Sequence, residues 1–247
     1  MHHCPNIFLS LWLIIQETRY TECYLLKRTA QINKNRRTFC EKKFKTLHAM
    51  AKFWNERYAV EEYVYGKDPN VFFRDCLATV SPGRILLPGE GEGRNAVYAA
   101  ASGWDVDAFD SSFEASQKAR ELARERGVEI RYEVKSFDSF EFSAQTYDAA
   151  GLIYFHLPPD QRTFLHRKVV QSVKSRGVVW IEAFHKNQIH YGTGGPKNPQ
   201  MLFDPDDLKS DFKDCTFDLL EAKEVELQEG PHHRGKAFVI RAIARKE

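Results

Sequence analysis

The amino-acid sequence predicts an α/β fold, a doubly wound and mostly parallel sheet that ends in an antiparallel C-terminal hairpin. Three observations predict this fold: strand-like and helix-like segments alternate from Met50 onward, a glycine-rich turn joins the first strand to its helix, and two alternating apolar and polar stretches close the chain. The chain has 247 residues, 43% of them hydrophobic, so it can bury one substantial core.

Short apolar runs bounded by glycine or polar residues predict five successive strands. These strands cover Arg84–Pro88, Trp104–Asp110, Val128–Val134, Tyr147–Ile153 and Gly177–Ala183. Because helical segments separate several of them, we expect the strands to lie parallel. Phe217–Leu227 and Lys236–Ala244 alternate apolar with polar residues, which predicts an antiparallel pair.

Helical spacing of apolar residues predicts the helices between and after these strands. The predicted helices cover Gly93–Ser102, Ser112–Arg126, Asp160–Lys174 and, as a short helix, Pro205–Asp211. Gly103 and Gly127 follow the first two helices, where a left-handed residue commonly ends a helix. Pro159 stands before the third, where a helix start tolerates proline.

The first 49 residues differ in composition from the rest of the chain. They hold nine lysines and arginines against three acids, a net charge of +6, which leaves −4 for the remaining residues. The apolar run at Ile7–Ile15 is far shorter than the roughly 20 residues that a membrane-spanning helix needs. We interpret residues 1–49 as an N-terminal appendage, with a signal-peptide core and a basic nucleic-acid-binding arm as alternatives.

Charge and cysteine usage exclude several classes of protein. The net charge of +2 is too small to indicate a nucleic-acid partner, and no segment is long enough to span a membrane. The five cysteines are scattered without a zinc spacing or a C-x-x-C pair, which is typical of free thiols and a cytoplasmic location. The spacing of His185, His190, His232 and His233 matches no recognised ligand pattern, so we expect no metal.

Three glycines at alternate positions follow the first predicted strand. In an open parallel sheet a ligand lies beyond the carboxyl ends of the strands, so Gly89, Gly91 and Gly93 would let it approach the backbone closely. Their spacing is G-x-G-x-G, whereas a dinucleotide site needs G-x-G-x-x-G, and Arg94 stands where that third glycine would fall. Asp110 ends the second strand 21 residues after Gly89, the distance expected of an acid that binds ribose hydroxyls.

This glycine turn followed by Asp110 resembles motif I and the ribose-binding acid of class I S-adenosylmethionine-dependent methyltransferases. Four further segments are similar, in order and spacing, to small methyltransferases of the tellurite-resistance (TehB-like) type. They are Phe53–Tyr58, Tyr65–Asn70, Tyr154–Pro159 and Tyr191–Pro196. The resemblance implies a Rossmann-like methyltransferase domain over residues 50–247, with S-adenosylmethionine as cofactor and a small-molecule acceptor.

The resemblance also implies a set of cofactor-binding residues. They are Gly89, Glu90, Gly91, Gly93, Asn95, Asp110, Ser111, Ser136, Phe137 and Tyr154. Two positions depart from the family pattern. Leu87 replaces an acid that helps to hold the cofactor's ammonium group, a role that Glu90 or Glu92 would take over. Ser136 and Phe137 replace an acid near the adenine, so that Phe137 either lies against the adenine ring or packs in the core.

His156 and Tyr154 are the predicted catalytic residues, at the mouth of the site after the fourth strand. A histidine is mostly neutral at pH 7, so His156 is either a base for a hydroxyl or ammonium acceptor or a structural residue. The predicted substrate pocket consists of Trp54, Tyr58, Tyr65, His185 and Tyr191.

The acceptor is predicted only as a class. Methyltransferases that act on base amino groups in nucleic acid place Asp/Asn-Pro-Pro-aromatic after the fourth strand, whereas this chain has His156–Pro159 there, with the sequence HLPP. The family type indicates a soft nucleophile, either a thiol or a tellurium or selenium oxyanion. A non-catalytic S-adenosylmethionine-binding module and an NAD-dependent oxidoreductase remain alternatives, and the oligomeric state stays open.

Overall fold

The computed structural model describes residues 49–247, and residues 51–247 form the compact unit considered below. The predicted appendage lies outside the described residues except for residue 49. The apolar run near the N-terminus and three of the five cysteines also lie outside them. Cys76 and Cys215, the two described cysteines, are free thiols.

Seven strands form one sheet in the order β3-β2-β1-β4-β5-β7-β6. The strands are β1 (Arg84–Pro88), β2 (Asp105–Asp110), β3 (Arg131–Val134), β4 (Tyr147–Ile153), β5 (Val173–Phe184), β6 (Cys215–Gln228) and β7 (Arg234–Lys246). Strands β1 to β5 pair in parallel, and β7 lies antiparallel between β5 and β6. This arrangement confirms the predicted fold class, including the antiparallel C-terminal hairpin.

Six α-helices and two short 3-10 helices accompany the sheet in the described part of the chain. The α-helices are α1 (residues 49–58), α2 (Val71–Leu77), α3 (Arg94–Ala101), α4 (Phe113–Glu125), α5 (Pro159–Ser172) and α6 (Pro205–Asp211). The 3-10 helices are Lys186–His190 and Pro199–Met201. None of the helices in residues 49–247 combines the length and the apolar character that a membrane crossing requires.

Several boundaries differ from the sequence prediction, and two of the differences have identifiable reasons. Strand β3 begins at Arg131 instead of Val128, because the Val128 N–H bonds to the Ala123 carbonyl and so belongs to the end of α4. Strand β5 begins at Val173, inside the predicted third helix, because Val173 pairs with Tyr147 before the register shifts.

The core lies between the sheet and the helices that cover it. Trp180 on β5 packs edge-on against Phe73 and Trp104, with ring centroids 5.9 and 6.0 Å apart, respectively. In the sheet order, β1 and β4 are adjacent and the chain runs outward from them in both directions. Such a reversal is where open α/β sheets bind their ligands, outside the carboxyl ends of the strands.

Candidate active site

The glycine turn between β1 and α3 adopts a left-handed backbone at all three glycines, with φ of +63° at Gly89, +61° at Gly91 and +86° at Gly93. A Cβ added to Gly89 would lie 2.8 Å from the Phe155 ring, and one added to Gly91 would lie 2.7 Å from the Tyr58 hydroxyl. Side chains are therefore excluded from this turn by backbone conformation and by aromatic residues of the protein itself. The sequence analysis attributed that close approach to a ligand alone.

Asp110 lies at the carboxyl end of β2, next to the glycine turn. Its two carboxylate oxygens accept the N–H groups of Gly91, at 3.1 Å, and Ser112, at 2.8 Å, and the Ser111 amide also bonds to it. Desolvation raises the pKa of Asp110 to about 6, against the opposing effect of these amides. No lysine or arginine among the described residues forms an ion pair with it. Asp110 is thus a carboxylate held in position with capacity for further hydrogen bonds.

The two acids within the turn are bonded inside the protein. Glu90 accepts the Ala96 N–H at 2.7 Å, and burial raises its pKa to about 7. Glu92 accepts the N–H groups of Val64, at 3.1 Å, and Tyr65, at 3.3 Å, and forms an ion pair with Lys118. Both carboxylates therefore stabilise the turn and its neighbours.

The other predicted cofactor residues lie nearby in the fold but make protein contacts. Asn95 accepts the Asn70 N–H at 2.9 Å. The Ser136 hydroxyl donates to Asp138 at 2.7 Å. Phe137 is 3% exposed and its ring lies 6.3 Å from that of Phe164, which agrees with the core-packing alternative.

An aromatic row runs from the glycine turn across to β5. Successive ring centroids are 5.5, 6.2, 4.6, 4.6 and 4.7 Å apart, in the order Trp54, Tyr58, Tyr65, His233, Tyr154 and Phe184. The structure therefore brings together three of the predicted pocket residues with the predicted catalytic Tyr154. Because Tyr58 also touches Gly91, this row borders the glycine turn.

The remaining two predicted pocket residues lie apart from the aromatic row. The rings of His185 and Tyr191 are 5.0 and 6.3 Å from Phe238 on β7. The Tyr191 hydroxyl donates to Glu224 on β6 at 2.9 Å. Both residues thus contact the C-terminal hairpin and have no ring contact with the aromatic row.

His156 uses both ring nitrogens within the protein. Its Nδ1–H donates to the Met201 carbonyl at 2.7 Å, and its Nε2 accepts the Phe184 N–H at 3.2 Å. Desolvation lowers the pKa of His156 to about 4. The ring therefore has no free nitrogen for a substrate proton in this structure, and it ties the end of β5 to the loop that precedes α6.

Tyr154 has a left-handed backbone, with φ of +54°, directly after β4. Its N–H bonds to the Glu182 carbonyl and its hydroxyl donates to the Glu182 carboxylate, each at 2.7 Å. Non-glycine residues rarely adopt this conformation, and such strain is concentrated at functional sites. The two bonds to Glu182 hold Tyr154 in this strained position beside the aromatic row.

A buried polar network behind the row was missed by the sequence analysis. Asn70 donates to Glu182 at 2.6 Å and to Glu229 at 2.8 Å, while Arg94 pairs with Glu229 and Arg241 with Glu182. Although burial alone would raise it, the pKa of Glu229 is lowered to about 2, because the adjacent His233 ring and Arg94 favour its ionised form. The only sequence signal is one glutamate, Glu182, in the apolar run of β5.

A cavity of about 700 Å³ opens beside this network, between α3 and the C-terminal hairpin. Its lining includes Tyr65, Arg94, Val97, Glu182, Glu229 and Arg241. The volume suits a small molecule. No group of His, Cys, Asp and Glu within residues 49–247 has an arrangement that would hold a metal ion.

The sheet order and the glycine turn define a Rossmann-like, ligand-binding fold. Comparison with known proteins shows which family of such folds part of the chain resembles. Residues 85–177 match the family model described as a methyltransferase domain. These residues include the glycine turn, Asp110 and Tyr154. Over these residues the chain is similar to methyltransferase domains, and the match covers 93 of its 247 residues.

Solved structures share the fold at low sequence identity. One, from work on the conversion of a disulfide bond into a thioacetal group during echinomycin biosynthesis, has a TM-score of 0.65 and 16% identity over 80% of this chain and 92% of that one. TehB from Haemophilus influenzae has a TM-score of 0.60 and 18% identity over 79% and 66% of the two chains.

A third structure contains a bound ligand. The N-methyltransferase NodS from Bradyrhizobium japonicum, in complex with S-adenosylhomocysteine, has a TM-score of 0.60 and 13% identity over 79% of this chain and 97% of that one. No curated protein sequence matches this chain.

Proposed function

We propose that residues 50–247 bind S-adenosylmethionine along the glycine turn and Asp110 and transfer its methyl group to a soft nucleophile on a small molecule. The proposed acceptor is a thiol or a tellurium or selenium oxyanion, as in the tellurite-resistance type of methyltransferase. The observation that carries the proposal is Asp110, a carboxylate without a cationic partner that backbone amides hold beside the glycine turn. A ribose supplies the hydroxyl donors that such an acid lacks.

The residues at this end of the site fit the cofactor. Asp110 would accept the ribose hydroxyls, and the Tyr58 hydroxyl and the Phe155 ring would border the cofactor where they lie over Gly91 and Gly89. The bound cofactor supplies a methyl carbon that its sulfonium group activates towards nucleophiles. Phe137 is 3% exposed, so it would support the site from within the core and would not offer an exposed ring face for the adenine.

The aromatic row would position the reactants and exclude water. Aromatic faces attract a sulfonium cation, each contact contributing about 0.5–2 kcal/mol depending on desolvation. Tyr65 and Tyr154 lie on either side of His233 in the row, so they would enclose an acceptor that enters from the adjoining cavity. Orientation at near attack distance accounts for much of the rate of an in-line displacement.

The bonds of His156 argue against this residue as the base that removes a proton from the acceptor. Hydroxyl and ammonium acceptors need a base to remove their proton, and both His156 nitrogens are already hydrogen-bonded. We therefore propose that His156 is a positioning residue that holds the end of β5. The structural neighbours include a protein studied for chemistry at a disulfide and an N-methyltransferase, so the shared fold leaves the acceptor open.

Calorimetric titration of the purified full chain with S-adenosylhomocysteine and, separately, with NAD tests the cofactor. We expect binding of S-adenosylhomocysteine alone, and binding of NAD alone would favour the oxidoreductase alternative. Transfer of a labelled methyl group to a panel of thiols, tellurite, selenite and phenols then tests the reaction. Cofactor binding without transfer to any member of the panel would favour the non-catalytic binding module.

A further inference from the structure

His233, in the turn between β6 and β7, carries a buried nitrogen without a hydrogen-bond partner. The residue is 6% exposed, and its Nδ1 is one of two buried side-chain polar atoms without a partner among residues 49–247. Leaving such an atom unpaired destabilises the folded protein. His233 lies in the middle of the aromatic row, so a proton held or moved by its ring would lie next to Tyr65 and Tyr154.

The surroundings of His233 define which nitrogen can act. Glu229 Oε2 lies 3.6 Å from Nδ1, just beyond hydrogen-bond distance, and Arg94 and Asn70 hold Glu229 in place. A small movement of the imidazole would make the bond, and catalytic hydrogen bonds are often long before the substrate binds. The ring would then carry its proton on Nδ1, which leaves the lone pair of Nε2 free.

Gly194 lies beside the Nε2 edge of the His233 ring. The exposed residue Gly194 has a φ of +116°, and a Cβ added to it would lie 3.1 Å from His233 Cδ2 and 3.4 Å from Nε2. A side chain at this position would therefore crowd the ring at that nitrogen. Gly194 belongs to the Tyr191–Pro196 segment, in which the sequence analysis assigned a role only to Tyr191.

The charged groups around His233 are Glu229, Arg94 and Glu182. Burial lowers the pKa of His233 below its ordinary value, and Arg94 acts in the same direction, while the two glutamates oppose it. The imidazole is therefore neutral at pH 7 and able to accept a proton. Tyr65 and Tyr154, whose rings lie 4.6 Å from it, have raised pKa values because they are buried, so they stay neutral as well.

We infer that His233, oriented by Glu229, is the general base of the reaction and that the acceptor is a small neutral thiol. This inference rests on the proposed function. Nε2 of His233 takes the thiol proton as the acceptor sulfur forms a bond to the methyl carbon. The bond between that carbon and the sulfonium sulfur breaks, its electron pair stays on the leaving sulfur as S-adenosylhomocysteine forms, and the proton passes from His233 to solvent.

The charges beside His233 favour a thiol over a chalcogen oxyanion. Glu229 and Glu182 place two carboxylates next to this position, and the nearby arginines, Arg94 and Arg241, are already paired with them. An anion brought here would meet like charge without a free cation. A thiol enters as a neutral molecule and loses its proton only during the reaction.

Two thiols of different acidity test the inference with the full chain. A neutral arylthiol loses its proton much more readily than a neutral alkylthiol, so its methylation depends less on a base. We expect His233→Ala to lower the single-turnover methylation rate of the alkylthiol by about a hundredfold or more and that of the arylthiol by less than about tenfold. Glu229→Gln should show the same asymmetry with a smaller loss. His190→Ala, which changes an exposed histidine, should leave both rates unchanged.

The binding of S-adenosylhomocysteine by each variant separates the possible failures. Equal losses of rate for both thiols, with cofactor affinity retained, would show that His233 does not act as a base. Methylation of tellurite or selenite but of no thiol would also overturn the inference and leave the proposed function standing. If the unaltered protein failed to bind S-adenosylhomocysteine, the proposed function itself would fail. His233→Gln provides the second variant if His233→Ala does not fold.

Discussion

Asp110 combines its proposed role in binding the cofactor with an unfavourable environment for its charge. Desolvation raises its pKa to about 6, and only the ionised carboxylate accepts hydrogen bonds from both ribose hydroxyls. Binding therefore favours the ionised form, and affinity should be constant well above pH 6 and weaken as the pH falls through that value.

Calorimetry with S-adenosylhomocysteine between about pH 5 and 8 measures this dependence, because that range brackets the raised pKa of Asp110. Glu90, with a pKa raised to about 7, titrates in the same range, so Asp110→Asn is needed to separate the two acids. The inflection should disappear in Asp110→Asn. An unchanged inflection in that variant would assign the pH dependence to another group.

His156 illustrates a histidine that is held by two hydrogen bonds and not poised for proton transfer. Its replacement by alanine leaves the Met201 carbonyl and the Phe184 N–H without their partner, a loss of about 1–3 kcal/mol for each group that stays unsatisfied. We expect urea denaturation to show lower stability for His156→Ala. The methylation rate of the folded variant should stay within about tenfold, less than the roughly hundredfold expected for loss of a base.

The exposed His190 offers a control for the same substitution. His190→Ala should change neither stability nor rate. The opposite pattern for His156→Ala, a loss of rate of a hundredfold or more with unchanged unfolding free energy, would make His156 the base after all.

Helix α3 approaches α4 at Gly93, and this contact depends on the absence of a side chain. A Cβ on Gly93 would lie 2.6 Å from Ala119 Cβ, and the residue has a φ of +86°. Gly127, with a φ of +65°, has the same kind of backbone but no atom within 4 Å of an added Cβ. The two glycines therefore separate the cost of backbone conformation from that of helix packing.

Denaturation of Gly93→Ala and Gly127→Ala measures this difference. Gly127→Ala should lose about 1 kcal/mol, the cost of a left-handed alanine, and Gly93→Ala should lose at least about 2 kcal/mol more because the helices must move apart. Equal losses would show that α3 and α4 adjust freely at this contact.

The elements that the sequence predicted well are those defined by local signals. Strands β1 and β4 have the predicted ends because apolar runs and polar flanks mark them in the sequence. Helix α2 was not predicted, since its one clear signal is the cap of Asn70 on the Phe73 N–H. Strand β3 lost its first residues to the end of α4, a competition that no local pattern reveals.

A compact motif allowed the sequence analysis to place some residues of the candidate site together. The glycine turn and Asp110 are near in sequence and lie together at the β1 and β2 ends. Asn70, by contrast, is separated by 112 residues from Glu182 and by 159 from Glu229. Bonds of this kind depend on the complete topology, because the sheet order brings together the ends of distant strands.

This long-range network ties α2 to β5 and the C-terminal hairpin, so its disruption should affect the stability of the whole domain. Asn70→Asp keeps the size of the side chain but removes the donor to both glutamates and adds a third carboxyl group. In the folded state the new carboxyl group lies beside the carboxylates of Glu182 and Glu229, so it binds a proton more tightly there than in the unfolded state. Its destabilising effect should therefore be small at pH 5 and grow as the pH rises to 8.

Urea denaturation at both pH values measures the effect, with Asn198→Asp as the control. Asn198 also caps a helix, the second 3-10 helix, but it is exposed, so its variant should show little difference between pH 5 and 8. A stability of Asn70→Asp that did not depend on pH would mean that the glutamates move apart to accommodate the new carboxyl group.

The most direct measurement is the affinity of the full chain for S-adenosylhomocysteine before and after the change Asp110→Ala. The exposed Asp218, which pairs with Arg245 on the hairpin, supplies the control Asp218→Ala. Loss of hydrogen bonds to a charged acceptor, about 1.5–3 kcal/mol, predicts affinity that is lower by about tenfold to a hundredfold in Asp110→Ala and unchanged in Asp218→Ala. Equal affinity of all three proteins, measured by calorimetry at pH 7.5 on folded samples, would contradict the placement of the cofactor at the glycine turn and Asp110.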